Sequence, residues 1–240
     1  MSASATPGSG GATPGSGGAR AGSRARAGSS RVAGATPGAA AGGSAGSTSG
    51  GVAGGSRRDE ILAAAADLFA RHGYRGVSIY DIGAAVGISG PALYRHFRSK
   101  DALLAEMLVS ISATLLSEGR RRSAAAADAP SGLAALVDWH VEFALDHLPL
   151  ITIQFRDLDS LAEADREEVR RLQREYVETW VRLIREIHPE VGEPAARAAA
   201  HAVFGLINST PHSARLARAD MEVLLRTMAL AALGSVAATV

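Results

Sequence analysis

The sequence predicts an all-α fold that follows a disordered N-terminal tail. Between residues 56 and 240, apolar side chains recur three and four positions apart, which is the spacing of one helix face. Serines suited to helix N-caps and glycines suited to helix ends interrupt this pattern. Residues 1–55 are almost entirely Gly, Ala, Ser, Thr and Pro, and such a segment cannot bury enough apolar surface to offset its ordering entropy. We therefore expect folding to begin near Ser56.

The first predicted helix begins near Ser56 and ends at His72 and Gly73. Its apolar stripe would cover the core formed by the next helices. The stripe consists of Ile61, Leu62, Ala65, Leu68 and Phe69.

A short second helix is predicted after Ser78, which stands where an N-cap belongs. Gly87 follows the last apolar position and would end the helix in the left-handed conformation that glycine adopts readily. The stripe between them comprises Ile79, Ile82 and Val86.

A third, equally short helix follows at once, capped by Ser89 and with Pro91 in its first turn. Leu93 and Phe97 would pack against the preceding helix, which completes a helix-turn-helix. The outward residues of this third helix are small at its N-terminal end and aromatic or basic towards its C-terminal end, as in a helix that binds in a DNA groove. They are Ser89, Gly90, Ala92, Tyr94, Arg95 and His96. A helical hairpin with a polar face in an ordinary bundle is the alternative interpretation.

A long fourth helix is predicted to start after the capping residue Ser99 and to run to about Arg122. Its first residue, Lys100, would direct one more cation at the DNA backbone. The helix would join the helix-turn-helix to the rest of the chain.

The segment from about Arg57 to Met107 resembles the DNA-binding domain of the TetR family of transcriptional regulators, through HGYRGVS, DIGAAVGIS, LYRHF and SKDALL. The resemblance implies a three-helix DNA-binding domain over residues 56–115 and a C-terminal helical bundle for ligand binding and dimerisation over residues 116–240. Gly83 departs from the family, which more often has alanine there; glycine would be tolerated if the two short helices pack closely. The implied DNA-facing residues are Ser78, Ser89, Gly90, Ala92, Tyr94, His96 and Lys100, with Tyr94, His96 and Lys100 mostly on phosphates.

The tail carries four positive charges and no acidic residue, at Arg20, Arg24, Arg26 and Arg31. Beside a DNA-binding domain, such an arm would add phosphate contacts that do not depend on base sequence. An inert extension or a mis-assigned start codon explains the same composition, so both interpretations stay open.

Only helices are predicted for the second domain. The last two of these helices offer more apolar surface than one small bundle needs, which predicts a four-helix interface in a homodimer. The residues expected there are Ala196, Ala199, Ala200, Val203, Phe204 and Ile207, and Met221, Leu224, Leu225, Met228 and Leu233. Ordinary core packing of both helices is the alternative. The predicted helices cover about 133–146, a short segment after residue 149, 163–187, 193–209 and 220–233.

The family resemblance implies that the second domain encloses a small-molecule pocket, although core packing is the alternative for each aromatic residue. The segments LITIQFRDLDSL and HAVFGLINSTPHS are similar to regulators associated with acyl-CoA and with fatty-acid or branched-chain catabolism. This similarity suggests an acyl-CoA or other hydrophobic effector, with Arg156 facing an anionic group. His140, Gln154 and His212 would add polar contacts. The expected lining residues are Trp139, Phe143, Phe155, Arg156, Tyr176, Trp180, Phe204 and Asn208.

Motifs of catalysis and metal binding do not occur in the sequence: it has no HExxH, no GxSxG, no phosphate-binding glycine loop and no cysteine. We therefore predict no catalytic residue, no metal and no cofactor. No apolar run is expected to span a membrane, so we expect a cytoplasmic protein. The predicted function is a repressor that binds a palindromic DNA operator as a homodimer and is released by its effector. The alternatives are a DNA-binding regulator without a small-molecule response and a helical dimerisation scaffold.

Overall fold

The structure, a computed structural model, describes residues 56–213 and 215–238, so the predicted tail lies outside the described residues. Over those ranges every regular element is helical, which confirms the predicted all-α class. The short helix α9 and the two 3-10 turns were not predicted. The helices are α1 Arg57–His72, α2 Ile79–Ala85, α3 Gly90–Leu93, α4 Lys100–Ala124, α5 Ala129–Asp146, α6 Leu148–Asp157, α7 Glu163–Ile187, α8 Glu193–Ile207, α9 Thr210–Ser213 and α10 Arg218–Gly234, with 3-10 turns at Leu158–Ser160 and Val236–Ala238.

Capping serines fix the starts of the first four helices, and three of them, Ser78, Ser89 and Ser99, were predicted as caps. Each serine hydroxyl accepts a hydrogen bond from the backbone N–H three residues later, at 3.0 to 3.3 Å. Such a cap stabilises a helix by about 1 kcal/mol. In α1 and α2 an aspartate at that third position also accepts from the backbone N–H of the serine at 2.8 Å, which completes a capping box. The capping serines are Ser56, Ser78, Ser89 and Ser99.

The helix α4 belongs to two hydrophobic cores. Leu103 and Leu108 lie in a first core with α1, α2 and α3, whereas Leu116 lies in a second core with α5, α7, α8 and α10. The first core also contains Ile153 of α6 and Val169 of α7. The proposed division at residues 115 and 116 therefore falls within one continuous helix, and the core of the first domain includes side chains from the second.

One helix of the described ranges, α4, is long and apolar enough by length and composition to cross a membrane, contrary to the expectation from sequence. Its apolar residues are used inside the protein instead. Leu103, Leu104 and Leu108 are fully buried in the first core, and the helix packs against α5 and α7. Length and hydropathy alone do not separate such a core helix from a membrane span.

Candidate functional site

The turn between α2 and α3 holds the two short helices close together. Gly87 adopts a positive φ of 69°, as its predicted role at the helix end requires. The N–H of Ile88 donates to the carbonyl oxygen of Gly83 at 2.9 Å. A Cβ added to Gly83 would lie 2.8 Å from the Ile88 carbonyl oxygen, so the glycine permits the close packing of α2 on this turn.

The exposed face of α3 and the turn after it carries most of the residues predicted to face DNA. Tyr94 is 55% exposed, and Ser89 and Arg95 are exposed as well. Ala92 and His96 are half-buried at its edges. Since Leu93 and Phe97 are buried beneath, this face has the predicted division between core and surface.

An aromatic side chain beside α3, Tyr80 of α2, was missed from the sequence. It is 69% exposed, and its ring occupies the space where a side chain of Gly90 would stand, 2.5 Å from an ideal Cβ. Gly90 is therefore buried, and its prediction as an outward residue is wrong. The helical phase of α2 contained the signal for Tyr80, because Ile79 and Ile82 point into the core and leave residue 80 outside.

Lys100 was predicted to contact phosphate but is bound within the protein. Its ammonium group donates to the carbonyl oxygens of Tyr74 at 3.0 Å and Val77 at 2.8 Å. It also lies 4.2 Å from the centroid of the Tyr74 ring. Lys100 therefore anchors the segment between α1 and α2, which corrects its assignment to the DNA-facing set.

The guanidinium of Arg58 joins the end of the α3 turn to α4. It donates to Glu106 of α4 at 2.7 Å and to the carbonyl oxygen of His96, and it lies 4.1 Å from the centroid of the Phe97 ring. The hydrogen bonds to Glu106 also raise the pKa of this guanidinium. Arg58 thus links α4 to the turn after α3 through a charged contact, in addition to the shared core.

A cavity of about 490 Å³ lies between α4, α5, α6, α7 and α8. This volume is within the range of small-molecule sites. Of the residues predicted to line it, five do so: Phe143, Phe155, Tyr176, Phe204 and Asn208. The structure adds Arg170, Gln173 and Val177, which stand three and four residues apart on α7 and so share one helix face.

Both tryptophans predicted for the cavity are outside its lining. The indole N–H of Trp139 donates to the carbonyl oxygen of Leu115 at 3.1 Å, and Arg122 stacks over the indole ring at 4.6 Å. Trp180 is fully buried, edge-on to the Phe204 ring with centroids 5.0 Å apart. Core packing, the alternative considered for each aromatic residue, describes both.

Arg156, predicted to face an anionic ligand, binds the C-terminal end of α1 instead. Its guanidinium donates to the carbonyl oxygens of Phe69 and Ala70, the latter at 3.1 Å, and pairs with the buried Asp157 at 2.9 Å. A cation at this end of a helix compensates its unpaired carbonyl groups. The assignment of Arg156 to the ligand is therefore corrected, and His212 also lies outside the cavity lining.

A buried histidine forms the centre of the cavity wall. His140 is close to Tyr176, with Nδ1 and the hydroxyl oxygen 3.3 Å apart, and to Asn208, with Nε2 and Oδ1 3.2 Å apart. Burial lowers the pKa of His140 to about 4, because the imidazolium would lose its hydration. The imidazole is therefore neutral at pH 7.

The exposed faces of α8 and α10 include only two of the predicted interface residues, Leu224 and Met228. The predicted residues that are instead buried within the chain are Ala196, Ala200, Val203, Ile207, Met221, Leu225 and Leu233. Leu224 and Met228 of α10 remain 43% and 46% exposed. On α8 the exposed residues Ala198, Ala202 and Gly205 stand four and three apart and form a strip of small side chains.

Comparison with known proteins agrees with this architecture. The family model for bacterial regulatory proteins of the tetR family matches residues 61–107, and the model for the tetracyclin repressor-like C-terminal domain matches residues 127–212. The transcriptional repressor KstR2 of Rhodococcus jostii (strain RHA1) is 40% identical over 81 residues, which are 34% of this chain and 40% of that repressor. The chain thus matches less than half the length of this curated relative.

Solved structures match over a longer part of the chain. A TetR-family regulator from Bordetella parapertussis 12822 has a TM-score of 0.67 and 27% identity, and the match covers 75% of this chain and 94% of that one. The regulator AibR, solved with isovaleryl coenzyme A and operator DNA, has a TM-score of 0.62 at 18% identity, covering 72% of this chain and 97% of AibR. At that identity the likeness to AibR concerns the fold. With a matching N-terminal model, a matching C-terminal model and the same architecture, the chain belongs to the tetR family of bacterial regulatory proteins.

Proposed function

We propose that this protein is a repressor of transcription that binds an operator duplex as a homodimer and is released by a small-molecule effector. One observation carries this proposal: the helix α4 belongs to the core beneath the helix-turn-helix and also lines the cavity. Leu104 lies in that core and Ser112 lines the cavity, about 12 Å farther along the helix. Motion of one rigid element would therefore alter both sites.

The DNA-facing surface would consist of the α3 face and Tyr80. Hydroxyl groups on Ser89, Tyr80 and Tyr94 offer hydrogen bonds to phosphate oxygens or base edges. The hydroxyl of Ser78 donates its hydrogen to Asp81 at 2.7 Å, so it can only accept. The guanidinium group of Arg95 makes no ion pair or hydrogen bond within the described residues, so it is available to phosphate. The same holds for the exposed Arg98, which immediately follows Phe97.

The dimer would form through the exposed faces of α8 and α10. Small residues on α8 allow another helix to approach closely, and Leu224 and Met228 supply apolar area. A two-fold dimer would place two α3 helices against half-sites about 34 Å apart or more. A palindromic operator follows from that symmetry.

The effector would occupy the cavity and favour the state that does not bind DNA. Its effect on operator affinity cannot exceed its difference in affinity for the two states. The aromatic lining supports a hydrophobic or acyl-CoA-type compound, as does the coenzyme A ester in the structure of AibR. The repressor KstR2 among the relatives supports repression. A function on DNA supports a location in the cytoplasm.

Binding to the DNA that flanks its own gene tests the proposal. We expect fluorescence anisotropy to detect specific binding that weakens with salt and is lost on addition of one class of effector. Tyr94→Ala should weaken binding by at least about tenfold, about 1.4 kcal/mol, because its exposed hydroxyl and ring would face the DNA. Tyr80→Ala should weaken it as well.

The matched controls separate contact from folding. Arg95→Ala should weaken operator binding, whereas Arg174→Ala on the exposed face of α7 should leave it unchanged. Thermal melting of all four variants should stay close to that of the original protein. Absence of binding at low salt, or an unchanged affinity for a folded Tyr94→Ala variant, would contradict the proposed role in DNA binding.

A further inference from the structure

The inner wall of the cavity is aromatic and uncharged. The rings of His140, Tyr176 and Phe204 lie nearly parallel, with interplanar angles of 9° to 13° and centroids 4.8 to 5.7 Å apart. The charged lining residues, Asp159 and Arg170, are exposed and pair with each other at 3.6 Å. A ligand group that reaches the inner wall therefore meets no charged lining residue.

The hydrogen bonds of this wall form a series in which each group donates to the next. A neutral imidazole has one N–H and one acceptor nitrogen. Because the Asn208 Oδ1 atom can only accept, the Nε2 atom of His140 carries the hydrogen and donates to it. The Nδ1 atom then accepts from the hydroxyl of Tyr176, and burial raises the pKa of that hydroxyl, which keeps it protonated.

This series of hydrogen bonds ends at the cavity surface in donor groups that have no partner in the described part of the protein. With its oxygen bound to His140, the carboxamide of Asn208 presents its NH2 group, which has no hydrogen-bond partner within residues 56–213 and 215–238. Gln154 and Gln173 also line the cavity without a side-chain hydrogen bond among those residues. The polar lining groups without a hydrogen bond in the described chain thus include three amides as well as the exposed imidazole of His201, and His140 sets the orientation of one amide.

Building on the proposed effector function, we propose that the enclosed part of the effector is apolar and uncharged and carries a carbonyl oxygen that accepts a hydrogen bond from Asn208. A ketone, an ester or a thioester has this chemistry. A carboxylate would lose its hydration at the inner wall without gaining a counter-charge, and Arg156, the cation expected for that purpose, is bound to α1. Any ionised part of the effector would remain at the exposed side of the cavity, beside Arg170.

Calorimetric titration of the full-length protein without DNA tests this proposal. The probes are undecan-2-one with undecanoate, and a four-ring steroid ketone with the corresponding steroid carboxylate. We expect at least one ketone to bind, and to bind at least tenfold more tightly than the carboxylate of the same skeleton. Equal or tighter binding of the carboxylate, or no binding of either ketone, would overturn the proposal.

Two variants locate the hydrogen bond. Asn208→Leu should reduce the affinity for the ketone about tenfold, whereas Ser209→Ala should leave it unchanged, because Ser209 lies outside the cavity lining and its hydroxyl donates to the Leu206 carbonyl oxygen. Melting curves establish that both variants are folded. A folded Asn208→Leu variant with unchanged affinity for the ketone would overturn the assignment of Asn208.

Addition of the same ketones and carboxylates to the operator-binding assay distinguishes this inference from the proposed function. Ketone binding that fails to release DNA would support the ligand class and contradict the regulatory role. Release of DNA by a carboxylate would support the regulatory role and contradict the ligand class.

Discussion

The environment of His140 has a consequence for stability at low pH. The imidazole is fully buried between two aromatic rings, and burial lowers its pKa from 6.5 to about 4. Between these two values the unfolded chain binds a proton that the folded protein does not. The free energy of unfolding therefore falls as the pH is lowered through this window, and the contribution of His140 is complete only above pH 6.5.

A His140→Phe variant should lose this pH dependence while it keeps a ring in the aromatic wall. From pH 7 to pH 4.5 we expect the free energy of unfolding of the original protein to fall by about 2 to 3 kcal/mol more than that of the variant, at about 1.36 kcal/mol per unit of pKa difference. Urea unfolding at one protein concentration measures this. His201→Phe, at an exposed position, should behave like the original protein; equal falls for all three proteins would show that His140 is not buried as a neutral group.

At the scale of single elements, α6 has two functional faces. One face lines the cavity through Ile151, Gln154 and Phe155. Arg156 of the same helix donates hydrogen bonds to carbonyl oxygens in the last turn of α1. The helix that forms part of the cavity wall therefore contacts α1, which covers the core of the helix-turn-helix. A displacement of α6 by a ligand would therefore reach the DNA-binding domain by a second route beside α4.

Arg156→Ala should destabilise the protein more than removal of an ordinary surface arginine. It leaves the buried Asp157 without its guanidinium and removes a donor from the Phe69 and Ala70 carbonyl oxygens, of which Phe69 keeps the N–H of Gly73 at 2.8 Å. We expect a loss of about 1 to 3 kcal/mol in urea unfolding, in line with hydrogen bonds to charged groups. Arg182→Ala, which removes an exposed pair with Glu186, should cost less than about 0.5 kcal/mol. Similar losses for the two variants would show that Arg156 does not anchor α1.

Local patterns in the sequence predict the elements well, and long-range partners explain the errors. The serine caps and Gly87 are recognisable because their hydrogen bonds and dihedral angles involve residues only a few positions away. Arg156 binds a carbonyl group 86 residues away, and Lys100 binds one 26 residues away. A cation that satisfies backbone carbonyls looks the same in a sequence as one that awaits a ligand or a phosphate, so both were assigned to partners outside the chain.

At the scale of the whole molecule, α10 exposes apolar side chains that have no partner in the described chain. Leu224 and Met228 stand one helical turn apart, and the small residues of α8 form the second strip. An interface on α8 and α10 stays a prediction. Mostly the inward sides of both helices were assigned to it from the sequence, because the same 3.6-residue period underlies a core stripe and an interface stripe.

Substitution on this face should separate dimerisation from folding. We expect sedimentation velocity to show a dimer for the original protein and a monomer for Leu224→Arg, because the charge would be buried without a partner in the interface. Operator affinity should fall with it, since one protomer would bind each half-site alone. Ala164→Arg, at an exposed position of α7, should remain a dimer; a dimeric Leu224→Arg variant would place the interface elsewhere.

The shared first core also limits how this protein can be recombined with its relatives. Ile153 and Val169 are fully buried against the helix-turn-helix although both are more than 40 residues beyond its last helix. A chimaeric regulator that joined this DNA-reading segment to a foreign sensory bundle at residue 115 would leave its core incomplete. Exchange of operator specificity between relatives would therefore have to graft the exposed residues of α2 and α3 onto an intact host, rather than transplant the domain.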